Sequence, residues 1–192
     1  EKRFPEIFTF LGPDVPSDLY GDPGPLRAVL SRLSEFAEMN SIPGALGLEI
    51  RVKERNGDQV VLILSLSGSA LGITEADLPL AQDIVSGFSG ANADGGNAWA
   101  VPLMELNAVV EEIGGELALK STGIGLSKLT ATGCFQVANN QRAVADRAHL
   151  VLEGREALIV NQGGAGAEFL SMQLTAAGMS ACRAGGDKDA AA

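Results

Sequence analysis

Apolar residues recur along this chain with two different periods, and the switches between them mark its elements. Phe4–Leu11 (FPEIFTFL) is a short apolar run that predicts a strand. Pro13, Pro16, Pro23 and Pro25 punctuate the next stretch, predicting a loop over Gly12–Pro25. Leu26, Val29, Leu30, Leu33, Phe36 and Ala37 then share one face at helical spacing, which predicts a helix over Gly24–Met39. Asp22 stands where an N-cap belongs, with proline in the first turn. Leu46, Leu48, Ile50 and Val52 alternate with Gly47, Glu49, Arg51 and Lys53, the pattern of a half-buried strand over Leu46–Glu54. Asn56-Gly57-Asp58 is a hairpin turn, and the almost wholly apolar Val60–Leu66 (VVLILSL) predicts a central strand. A small-residue turn, Ser67–Gly72, follows, and Thr74 is expected to cap a short helix ending near Val85.

The second half repeats these signals. Ser86–Asn97 (SGFSGANADGGN) lacks bulky residues and reads as a long mobile loop. Leu103, Leu106, Val110 and Ile113 line a helix over Ala100–Ile113, stopped by Gly114-Gly115. Glu116–Ser121 and Gly133–Ala138 are expected to pair as strands across an extended connection, Thr122–Thr132. Asn139–Leu152 is polar and reads as a linker. Glu156–Val160, Ala165–Ala177 and Met179–Ala184 then predict strand, helix, strand. A β-α-β unit of about 40 residues cannot bury a core of its own. It must pack on the first unit or belong to a larger domain.

Composition narrows the possibilities. With 192 residues, 46% of them hydrophobic and 20% charged, the chain can bury a core. Its 24 Asp+Glu against 14 Lys+Arg give a formal net charge of -10, which disfavours nucleic acid and anionic membrane as partners. No apolar run approaches the roughly 20 residues of a membrane span, and no signal peptide opens the chain, so a cytoplasmic location is expected. Cys134 and Cys182 do not make a disulfide framework, and a reducing compartment is the simpler reading. A single histidine, His149, excludes a multi-histidine metal site; in its polar surroundings it reads as an ordinary surface residue.

The order helix, hairpin, short helix, Gly-rich loop, helix, hairpin resembles the ATP-binding catalytic domain of bacterial sensor histidine kinases. That domain belongs to a superfamily shared with gyrase-type ATPases. The likeness lies in Gly21–Asn40 (GDPGPLRAVLSRLSEFAEMN), Gly68–Pro79 (GSALGITEADLP) and Asn97–Gly115 (NAWAVPLMELNAVVEEIGG), continued by Glu116–Ser121. It implies an α/β fold, a two-layer sandwich with a mixed sheet and helices on one face, over residues 1–140. Residues 141–152 form the linker. Residues 153–192 resemble the opening β-α-β of a receiver domain, so the layout is that of a hybrid kinase.

The scaffold matches this family, but its chemical letters do not. The resemblance places Arg32 where the family has a Mg²⁺-holding Asn, Phe36 at a second Asn and Met39 at a phosphate-side Lys. Mg²⁺ takes hard oxygen ligands, and none of these three side chains offers one. Gly68 stands at the Asp that accepts from adenine, and of the first glycine box only Gly72 remains. The second box reads Ala98-Trp99-Ala100-Val101-Pro102 in place of Gly-x-Gly-x-Gly, and Pro102 has no N–H for a phosphate. In the receiver-like segment, Asn161-Gln162 replace the acidic Mg²⁺-holding pair.

The expectation is therefore a catalytic-domain region of a hybrid histidine kinase that has lost ATP binding. It would have no catalytic residues, no metal and no cofactor, where the intact family uses ATP and Mg²⁺. Its partners would be other signalling proteins or domains of a dimeric parent kinase. Two alternatives stand beside it: an atypical ATP-dependent kinase domain, and a pocket remodelled for another nucleotide with Arg32 and Trp99 as contacts. Plainer roles are also open for the same residues. Arg32 can pair with Glu35 or Glu38, and Phe36 and Met39 can extend the core. Trp99 can stack on a ligand or partner, or fill the vacated pocket. Glu105, Glu111 and Glu112 read as a solvated helix face. Gly163-Gly164-Ala165-Gly166 lacks the third glycine of a dinucleotide fingerprint and reads as a β-α turn.

Overall fold

The computed structural model describes residues 6–39, 45–68, 73–87, 97–123, 126–138, 152–160 and 165–184. Strand β1 (Glu6–Leu11) leads through a loop containing the two-residue β2 (Leu19–Tyr20) into helix α1 (Pro23–Met39). Asp22 starts that helix, accepting a hydrogen bond from the Gly24 N–H on Oδ1 at 2.8 Å. Proline at the first helical position has no N–H left to satisfy. Strands β3 (Ala45–Asn56) and β4 (Gln59–Gly68) form a hairpin closed by Gly57 and Asp58. Then come α2 (Leu78–Val85), α3 (Ala100–Glu112), β5 (Leu117–Gly123) and β6 (Leu126–Val137). The tail supplies β7 (Glu156–Val160), α4 (Ala165–Ala176) and β8 (Ser180–Ala184).

The larger sheet runs β1-β3-β4-β6-β2, with β5 also on β6. It is mixed: β1 pairs parallel with β3, and all other neighbours are antiparallel. β6 is long enough to hold β4 along one edge and both β5 and β2 along the other, at its two ends. Alternation assigns the faces. Leu62, Leu64 and Leu66 of β4 and Leu46 of β3 point into one core with Val29, Leu33 and Phe36 of α1 and Leu103, Leu106 and Val110 of α3. Helices α1, α2 and α3 thus form one layer over one sheet face, as the resemblance implied. Among the described residues no helix is long and apolar enough to cross a membrane.

The end of α3 shows why Gly114 stops it. The Gly114 N–H bonds the Glu111 carbonyl (2.9 Å) and the Gly115 N–H bonds the Val110 carbonyl (3.0 Å), a Schellman motif. That motif puts Gly114 at φ +62°, which costs a residue with a Cβ but not glycine.

β7 and β8 make a separate two-stranded parallel sheet, with α4 as the crossover. This unit packs on the first one: α4 lies against β1 and β3. Gly47, which alternation turns away from the core, faces Phe169 of α4. So α4 covers part of the sheet face opposite α1–α3, and the layer description holds with this addition.

Four expectations are corrected. Helix α2 begins at Leu78 with Asp77 at the N-cap position, not after a cap at Thr74. Thr74–Asp77 is a turn, in which the Asp77 carboxylate accepts from both the backbone N–H and the hydroxyl of Thr74 (3.1 and 2.6 Å). The carboxylate reaches back as in half of a capping box, and Pro79 sits in the first helical turn. Residues 122–123 and 126–132 belong to strands and not to a connection: β5 pairs with Leu126–Ala131, Ser127–Gln136 pairs with β4, and Gln136–Val137 pairs with β2. Gly68 is not in a turn but is the last residue of β4, paired with Leu46 and Ser127. Strand β2, unforeseen, exists only because Val137 and Gln136 offer it a ladder. Residues 88–96, most of the expected loop, lie outside the described residues, as do residues 139–151 of the linker.

Candidate functional site

The resemblance points to the space between the second half of α1 and the start of α3. These helices pack together because their apolar faces meet over the same strands. Arg32 stands on the solvent side of this contact. Its Nη1 donates to Glu35 Oε2 at 2.7 Å and forms an ion pair with Glu105 Oε2 at 3.1 Å, so the guanidinium bridges one turn of α1 and the neighbouring helix. All three side chains are about half exposed, and such a network contributes at most about 1 kcal/mol. Glu35 is one of the two expected partners. Glu105 holds the exposed position expected of a solvated helix face and is also a cross-helix partner, a pairing that spacing along one helix cannot reveal.

Phe36, one turn on, is 0% exposed, and Trp99 is 4% exposed. Both belong to the same core as Leu33 and Leu103. The structure thus puts Trp99 inside the protein. Met39 is the last residue of α1, but its side chain lies outside the described residues.

The start of α3 is poor in free donors. Trp99 is the N-cap and makes no side-chain cap bond. The Ala100 N–H already donates to the Asn97 carbonyl (3.1 Å), and Pro102 removes another donor. An anion at a helix N-terminus needs those N–H groups free. Ala98 is exposed, Ala100 is buried and Pro102 is half-buried.

Gly68 ends β4 at φ +147°, a backbone that residues with side chains rarely adopt. Gly72, Asn161 and Gln162 lie outside the described residues, as does His149. Among the described residues, no three His, Cys, Asp or Glu side chains gather as a metal site. Cys134 and Cys182 are free thiols, both exposed.

A second feature went unnoticed in the sequence: the seam between α4 and β1. Phe8 and Phe169 stack with centroids 6.3 Å apart and ring planes at 26°. Gln173 Nε2 donates to the Thr9 carbonyl at 2.6 Å. Beside them runs a groove of about 480 Å³ that Val160, Leu170 and Thr9 help to line.

Among solved structures, full-length ShkA in complex with AMPPNP superposes with a TM-score of 0.70 at 20% identity, over 97% of this chain and 36% of that one. The fold is that of a sensor histidine kinase catalytic domain. The match leaves fewer residues unaligned than β7–α4–β8 contains, so the tail on this catalytic-domain fold also has a counterpart in ShkA. The chain spans little more than a third of ShkA. The mycobacterial sensor histidine kinase MprB (TM-score 0.46, 16% identity, 69% of this chain and 85% of that one) and Acinetobacter baumannii histidine kinase AdeS (0.44, 20%, 71% and 56%) are also similar. No protein-family model matches the sequence, and no curated protein does.

Proposed function

We propose that this region serves two-component signalling as a histidine-kinase catalytic domain that no longer binds ATP and acts as a regulatory, protein-docking module. The observation that carries this is the burial of Phe36 and Trp99 in one core, at two positions that the resemblance assigns to the nucleotide pocket. Three further features support it. Arg32 is engaged by two carboxylates, the first turn of α3 offers an anion few donors, and Gly68 has no side chain for adenine. Charge-assisted hydrogen bonds contribute about 1.5–3 kcal/mol each, so losing the metal, adenine and phosphate contacts together removes most of an ATP site's affinity.

In this reading the region takes no cofactor. Its partners are other signalling proteins or other domains of a homodimeric parent kinase, in the cytoplasm, without nucleic acid or membrane contact. The segment after β7, with Asn161 and Gln162 at the acidic positions, is a receiver-like unit that holds no Mg²⁺. The buried Trp99 and the paired Arg32 count against a pocket remodelled for another nucleotide.

The test is a thermal shift with millimolar Mg-ATP, backed by calorimetric titration with ATP, ADP and cyclic dinucleotides. A ligand present at 100 times its Kd adds about 2.7 kcal/mol, or roughly 5–10 °C for a chain of this size. The expected shift is none. A clear shift with ATP sinks the proposal, and a shift with another nucleotide only points to the remodelled pocket.

A further inference from the structure

We propose that β7–α4–β8 and the six-stranded sheet are clasped into one rigid body by a two-way interlock of phenylalanine and glycine. On the sheet side, Phe8 of β1 and Gly47 of β3 are register partners, so a ring and a gap stand side by side. On the helix side, Gly166 and Phe169 are one turn apart on α4, again a gap beside a ring. The two surfaces meet in opposite sense. A Cβ on Gly47 would overlap the edge of the Phe169 ring, and a Cβ on Gly166 would come 2.6 Å from Phe8 Cζ. Each ring therefore sits where the other side has no side chain, and the two rings stack on each other. The Gln173 bond to the Thr9 carbonyl fixes the position of α4 along β1.

The glycines are the telling part. Neither Gly47 nor Gly166 has a positive φ, so the backbone does not require glycine at either position. Glycine is disfavoured relative to alanine inside strands and helices. Two locally unfavourable residues with ordinary backbones, each beneath a ring from the other unit, are explained by the clasp and by nothing within their own elements. Because cores resist small changes in volume, such a contact is held or released as a whole. Motion of the tail relative to the sheet is thus all-or-none.

The chain contains two cysteines, Cys134 on β6 and Cys182 on β8, one per unit and both exposed. Nitroxide labels on these native thiols report the distance between the units by pulsed electron–electron resonance. The wild-type chain should give a single narrow distance population. Gly47→Val suits a strand but drives a side chain into Phe169, and should abolish that population while circular dichroism stays native. Gly166→Ala favours the helix yet presses on Phe8, and should do the same. A broad wild-type distribution, or a narrow population that persists in the variants, overturns the proposal. If Gly47→Val does not fold, Gly166→Ala decides.

Discussion

Replacing Phe36 with asparagine restores the residue type that the resemblance assigns to this position, and so asks whether position 36 faces a pocket or the core. Phe36 is fully buried among leucines and valines. Truncating a buried phenylalanine costs about 3–5 kcal/mol through lost transfer energy and the cavity left behind. An asparagine amide in that space lacks partners and adds a desolvation penalty of about 1–3 kcal/mol. Together these give about 4–8 kcal/mol, much of the 5–15 kcal/mol that holds a typical domain together. Chemical denaturation measures the difference directly. By melting, at about 2–4 °C per kcal/mol for this length, Phe36→Asn falls by at least about 8 °C. Phe36→Leu is the control: it keeps the position apolar and should cost far less. Were position 36 to face a hydrated nucleotide cavity, asparagine would be solvated and the change would cost under about 1 kcal/mol. A Phe36→Asn melting temperature within about 2 °C of wild type therefore refutes the burial argument.

Arg32→Ala should change stability by no more than about 1 kcal/mol, with the difference shrinking in 1 M salt, since both of its ion pairs are half exposed. A loss above about 2 kcal/mol by urea denaturation would show that the pair to Glu105 does more than surface electrostatics allows. Asp22→Ala removes the acceptor for the Gly24 N–H and should cost about 1 kcal/mol, while Asp22→Asn keeps an oxygen there and should recover most of it. Gly68→Asp restores the family's residue on a backbone at φ +147°; it should destabilise the chain by about 1–3 kcal/mol and give no ATP-dependent thermal shift.

Elements defined by local signals were legible in the sequence. The period of α1 and its Asp22 start, the Gly57–Asp58 hairpin, the Gly114 stop and the β7–α4–β8 order all follow from neighbours a few residues apart. The partnership of β5 with the first half of β6 was not, because the inward positions of β6 include Ala131 and Gly133, which are too small to mark a strand. Nor was β2, which is defined only by the ladder it joins. In the candidate site, Phe36 could be read as core from its helical face. Trp99 could not be decided until its burial was known, and the Arg32–Glu105 pair depends on how two helices cross. Gly47 shared an alternating face with Glu49, Arg51 and Lys53 that reads as solvent, so a seat for Phe169 was invisible there.

The bond from Gln173 to Thr9 joins residues 164 positions apart, close to the full length of the chain. During synthesis at about 5–20 residues per second, β1 waits roughly 8–30 s after leaving the ribosome before α4 can follow it. For that time Phe8 and the outer face of β1 stay open to water and to neighbouring chains. The nascent protein thus carries an apolar face on β1 until α4 emerges, and the docking of α4 is what removes this aggregation hazard.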